Sequence, residues 1–96
     1  MRTTFLVCYD IADGKRLRKV FKTCRNFGDH IQYSVFECDL NPSEKIELEC
    51  TLREIINHNE DQILFVSLGP AEGRGDRVIS SMGQPYLKLS APCFVV

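Results

Sequence analysis

Thr4-Phe5-Leu6-Val7-Cys8-Tyr9-Asp10 is apolar until its last residue. β-Branched, aromatic and aliphatic side chains bounded by polar groups predict a buried strand over residues 4–9, with Asp10 at its C-terminal end. A carboxylate in that place has two readings. It can satisfy the exposed N–H groups of a following helix, because Asp10-Ile11-Ala12-Asp13-Gly14 is an ordinary strand-to-helix turn, or it can ligate a metal. Asp13 stands just before Lys15 and the apolar periodicity that starts at Leu17, so it is the better cap. If Asp13 caps, Asp10 is free for other chemistry.

Over residues 14–27, Leu17, Val20, Phe21, Cys24 and Phe27 recur at three-and-four spacing and predict an amphipathic helix. Lys15, Arg16, Arg18, Lys19, Lys22 and Arg25 occupy the rest of that helix with no acid among them, half of the chain's 12 Lys and Arg. At about 100° per residue, Lys15, Arg18, Lys22 and Arg25 fall near the middle of the polar face, with Lys19 and Arg16 towards a flank. Such a helix packs on a sheet and still offers a basic ridge. Gly28 is expected to close it as a left-handed cap.

Residues 31–40 are dense in strand formers and predict a second, central strand. Asn41-Pro42-Ser43-Glu44 combines a capping residue, a proline at the first helical position and a glutamate able to return a bond to the cap. The helix it opens is expected to run to about Asn57 and to bury Leu48, Leu52, Ile55 and Ile56. Residues 63–68 predict a third strand that ends at the Gly69-Pro70 turn. Gly73-Arg74-Gly75 reads as a solvated loop, and residues 77–81 as a short fourth strand. Residues 1–82 form one domain, and residues 83–96 an apolar tail expected to add a strand to its own or a partner's sheet. Together these elements predict an α+β ferredoxin-like β-α-β-β-α-β sandwich, with two helices on one face of a four-stranded antiparallel sheet. The face without helices needs cover, and a homodimer supplies it economically.

A net charge of −1 argues against indiscriminate binding to nucleic acid, so the segregation of cations onto one helix carries more meaning than the total. No apolar run approaches the ~20 residues that span a bilayer, and the first residues lack a secretory signal pattern. The expected compartment is the cytoplasm, without membrane association. Five widely spaced cysteines (Cys8, Cys24, Cys38, Cys50, Cys93) form no Cys-x-x-Cys pair, and with only His30 and His58 beside them they predict reduced thiols, not a zinc site.

Tyr9-Asp10-Ile11, Arg16-Leu17-Arg18-Lys19-Val20, Gly28 and Gln32-Tyr33-Ser34-Val35-Phe36-Glu37 arrive in one order that resembles the small CRISPR-associated adaptation protein family. This is the smaller of two widespread spacer-acquisition proteins, described as an endoribonuclease or endonuclease family. The resemblance covers residues 4–82, and its most specific part is the Gln-x-Ser-Val-Phe-Glu segment. It implies a homodimer of ferredoxin-like protomers in which the aspartate ending the first strand lies near its symmetry mate and holds a divalent cation. Asp10 matches that position, as catalytic residue and ligand to Mg2+ or Mn2+ shared between two protomers.

The resemblance further implies partners: a CRISPR integrase subunit, and nucleic acid, either a prespacer DNA duplex or RNA. Arg16 and Arg18 correspond to the family's helix-one arginines, with Lys15, Lys19, Lys22 and Arg25 adding charge. Tyr9, Ser34 and Phe36 match motif positions near the site, although Tyr9 and Phe36 read as core or dimer packing rather than base-stacking platforms, and Ser34 as a structural serine rather than a phosphate ligand. No general base is identifiable. Three functions follow: a DNA-binding scaffold bridging integrase subunits, a metal-dependent endonuclease, and a ferredoxin-like protein-interaction module.

Overall fold

The computed structural model describes residues 1–73 and 79–84. Its elements are β1 (Thr3–Asp10), α1 (Gly14–Arg25), β2 (Asp29–Gln32), β3 (Val35–Leu40), α2 (Pro42–Ile55) and β4 (Gln62–Pro70). The sheet order is β2-β3-β1-β4, with every neighbouring pair antiparallel. This is the ferredoxin-like order, reached differently from the expectation. The segment expected as one strand is a hairpin: it folds back at Tyr33-Ser34, and β2 pairs with β3 through Asp29↔Glu37, His30↔Phe36 and Gln32↔Val35. The hairpin supplies the adjacent β-β step, so four strands are complete by Pro70. Of the expected strand at 77–81, residues 79–81 lie outside any strand and 77–78 fall outside the described residues. Arg74, Cys93 and the tail from residue 85 onward also fall outside them.

Both helices begin where the capping chemistry dictates. The backbone N–H of Arg16 donates to Asp13 Oδ2 at 3.0 Å, an interaction that holds the Asp13 carboxyl below its usual range. At α2 the backbone N–H of Glu44 donates to Asn41 Oδ1 (2.7 Å) and that of Asn41 donates to Glu44 Oε1 (2.9 Å), a reciprocal capping box with Pro42 in the first turn. Arg2 adds a two-pronged ion pair to Glu44, at 2.6 and 3.2 Å.

Gly28 works by a different mechanism from the one expected. Its φ is not positive, so no left-handed cap is needed. The chain passes so close to β3 that a Cβ at this position would lie 2.5 Å from Cys38 Sγ, 2.8 Å from Cys38 Cα, and closer still to the Glu37 carbonyl oxygen. Only glycine permits that approach.

The core lies between the helices and one face of the sheet. Val7, Tyr9, Val20, Phe21, Cys24, Phe36, Cys38, Leu40, Leu48 and Leu52 are buried there. Phe36, fully buried, meets Phe21 edge-on at 5.5 Å and His30 at 4.9 Å between ring centroids. His30 is therefore a packing residue on the core face, with Nε2 3.2 Å from the Tyr33 carbonyl.

Candidate metal and nucleic-acid site

Alternation along β1 places Val7 and Tyr9 in the core and sends Leu6, Cys8 and Asp10 to the opposite face of the sheet. Registered across the sheet on that second face are Val35 and Leu64 beside Cys8, and Glu37 and Val66 beside Leu6. Neither helix covers them: Leu64 and Val66 keep 49% and 42% of their surface exposed. An apolar panel therefore ends on Asp10, which is exposed and opposite Gln62. Ser34 lies at the same end, where its carbonyl accepts from the Tyr9 N–H at 3.0 Å. The Tyr9 hydroxyl donates to the Tyr33 carbonyl over 3.5 Å.

The loop from Asp10 to α1 is fixed by a residue that sequence reading did not single out. Asp61 precedes β4, and its side chain has no exposed surface. Its Oδ1 accepts from the Ala12 N–H (2.9 Å) and from Arg16 Nη2 (3.2 Å). Its Oδ2 accepts from the Asn57 N–H and from Arg16 Nε, both at 2.8 Å. The Arg16 guanidinium first, with the two amides behind it, holds this carboxyl far below the usual carboxylate range against the opposing effect of desolvation. Arg16 Nη2 also reaches Glu60 Oε1 at 2.9 Å.

The remaining cations of α1 are placed otherwise. Lys15, Arg18, Lys19 and Lys22 are exposed on the side of the helix away from the core and make no ion pair with a described residue. Arg25 is exposed too, its guanidinium 5.7 Å from the centre of the Phe21 ring. Acid and ridge thus lie on opposite sides of one protomer and approach each other through the three-residue loop 11–13.

A family model described as CRISPR associated protein Cas2 matches residues 1–73. The chain belongs to the Cas2 family. A Cas2 of Geobacter sulfurreducens, named CRISPR-associated endoribonuclease Cas2, is 42% identical over 86 residues, 90% of each chain. A second, from Rhodospirillum rubrum and named CRISPR-associated endoribonuclease Cas2 1, is 37% identical over 96% of this chain and 89% of its own length. The crystal structure of Streptococcus pyogenes Cas2 superposes with a TM-score of 0.67 at 35% identity, covering 80% of this chain and 99% of that one.

Within this Cas2 fold the motif residues separate by face. Tyr9 and Phe36 are core residues, and burial pushes the Tyr9 hydroxyl well above the usual tyrosine range. Ser34 is half-buried at the hairpin turn, close to the end of β1. Cys24 and Cys38 are buried free thiols, pushed up to about 12 chiefly by desolvation, which makes them inert as nucleophiles. Among the motif residues Tyr9, Asp10, Ser34 and Phe36, Asp10 is the exposed carboxylate, at the C-terminal end of β1 on the open face. Its oxygens suit a hard cation such as Mg2+, commonly held by one or two carboxylates together with waters and substrate phosphate. Among the described residues no group of three or more His, Cys, Asp or Glu is arranged to hold a metal. No helix among them is long and apolar enough to cross a membrane.

Proposed function

We propose that this chain is a spacer-acquisition subunit of a CRISPR system: a homodimer that binds a prespacer DNA duplex through the α1 ridges and joins integrase subunits. The observation that carries this reading is the apolar strip of Leu6, Cys8, Val35, Leu64 and Val66, which neither helix covers, with Asp10 at its end. Burying such a panel is favourable at roughly 25 cal/mol per Å² of apolar surface. A two-fold axis running along the β1 direction between two stacked faces covers the panel with itself and brings the two Asp10 side chains towards one another. Facing carboxylates repel, and a shared Mg2+ or Mn2+ relieves the repulsion.

Each chain residue then has a defined task. The two Asp10 carboxylates hold the cation, while Lys15, Arg18, Lys19, Lys22 and Arg25 bind backbone phosphates without reading base sequence. A divalent ion held by the aspartates would supply charge stabilisation at phosphoryl oxygens and a more acidic water, the requirements of phosphodiester hydrolysis. Tyr9 and Phe36 support the end of β1 from the core side.

The names of the relatives favour a second reading, in which metal-dependent cleavage of RNA or DNA is the main activity. Asp10→Ala separates the two. Loss of spacer acquisition in cells, with duplex binding retained, excludes a scaffold that needs no Asp10. Loss of cleavage in the test tube alone, with acquisition intact, leaves the scaffold as the function.

A further inference from the structure

We infer that Asp61 is a positioning residue for Asp10, and that Arg16 serves this clamp and does not contact nucleic-acid phosphate. The inference rests on the proposed role of Asp10, but its geometry is independent of that role. A carboxylate has about four lone-pair directions, and Asp61 fills them with Ala12 N–H, Asn57 N–H, Arg16 Nε and Arg16 Nη2. The two guanidinium bonds run in parallel, the fork-to-fork geometry that distinguishes arginine from lysine.

The clamp joins the residue two places after Asp10, the first turn of α1 and the turn that follows α2. Asp13 fixes the same loop from its other side through the Arg16 N–H. With Ala12 and Asp13 both held, the loop that continues from Asp10 has little conformational freedom, and the strand end that presents the carboxylate inherits that rigidity.

Arg16 belongs to the basic helix by sequence but not by surroundings. To reach a phosphate it would have to abandon Asp61, leaving a buried carboxylate with no counter-ion, which costs more than an exposed phosphate contact returns. Lys15, Arg18, Lys19 and Lys22 carry no such obligation.

The test uses the full chain and its Arg16→Gln, Arg16→Lys, Asp61→Asn, Lys22→Gln and double Arg16→Gln/Asp61→Asn variants. Three readouts are taken: the slope of log affinity for duplex DNA against log salt, hydrogen exchange at the Ala12 amide, and the apparent affinity for Mn2+. Lys22→Gln removes one cation from each of the two ridges and should reduce the salt slope by about 1.8, and Arg16→Gln should leave it unchanged. Arg16→Gln and Asp61→Asn should each accelerate exchange at Ala12 and weaken Mn2+ binding by about tenfold, the scale of losing an outer support of a ligand. The double variant should be no worse than the poorer single. Arg16→Lys, which keeps the charge but not the fork, should lose Mn2+ affinity with the salt slope intact, and it serves if Asp61→Asn fails to fold. A slope reduced in Arg16→Gln as in Lys22→Gln, or slow exchange at Ala12 in both Arg16→Gln and Asp61→Asn, overturns the inference. If the unmodified protein binds no Mn2+ and Asp10→Asn changes nothing, the metal role of Asp10 fails instead. The clamp is then decided by Ala12 exchange and the salt slope.

Discussion

Arg16 and Asp61, 45 residues apart in sequence, meet with Nε and Oδ2 at 2.8 Å, and the carboxylate is wholly enclosed. The pair joins the loop after Asp10 to the turn before β4, so a largely buried ion pair anchors the segment that follows the exposed acid. The same contact contributes to how the protein's stability depends on pH.

Asp61 carries a folded-state pKa depressed below its ordinary value of 3.8, and Asp13 and Glu44 are shifted in the same direction. Between the two values the unfolded chain binds more protons than the folded one, so stability rises with pH there. The contribution is complete above the ordinary carboxylate range and is lost as pH falls below about 4 towards the depressed values. Urea unfolding from pH 6 down to pH 2 should show that loss. Asp61→Asn should be less stable at pH 6 and should lose less on acidification.

At Gly28 the prediction concerns space. An added methyl meets the Glu37 carbonyl and the Cys38 backbone, neither of which is the free end of a flexible side chain. Gly28→Ala should cost about 1–3 kcal/mol, the range for overpacking. Thermal unfolding checks this: each kcal/mol lowers the midpoint of a domain this size by roughly 4–8 °C. A midpoint equal to that of the unmodified protein would mean the strand can retreat from the helix end at no cost.

Phe36 separates core packing from base stacking. Phe36→Ala should destabilise by about 3–5 kcal/mol, as expected for a fully buried aromatic. Phe36→Leu retains most of the volume and should lose less. Its affinity for duplex DNA, measured where it remains folded, should equal that of the unmodified protein; weakened binding by folded Phe36→Leu would place the ring at the nucleic acid.

Asn41→Ala removes the acceptor for the Glu44 N–H. The expected penalty is about 0.5–2 kcal/mol, read as a lower urea midpoint with an unchanged slope. Arg2 still holds Glu44 from the other side, which favours the lower part of that range.

Much of the fold was legible because its signals are local. Asp13 and the Asn41-Pro42-Glu44 box announced both helix starts, and three-and-four spacing identified Val20, Phe21, Cys24, Leu48 and Leu52 as core. The hairpin was not legible, because Tyr33-Ser34 has no Gly, Asn, Asp or Pro to signal a reversal and strand formers continue on both sides. That omission left one strand to be sought further along, at 77–81. Gly28 was correctly placed at the helix end, but its mechanism depends on how closely β3 approaches, which no local pattern contains. Asp10 stood out as a carboxylate after an apolar run, whereas Asp61 is one acid of a polar turn until Ala12 and Arg16 are folded against it. Likewise, helical spacing set Arg16 with Lys19 on the flank of the basic face, and only the fold shows that Arg16 turns to Asp61 while Lys19 stays on the exposed ridge.

The central claim is that two copies stack their open sheet faces and share one cation between their Asp10 side chains. Counting Mn2+ ions bound per chain, on protein whose mass is determined by sedimentation in the same buffer, tests it most directly. The account predicts a dimer binding one ion per two chains, with binding abolished by Asp10→Ala. A monomer at every concentration, or one ion per chain that survives Asp10→Ala, would contradict it.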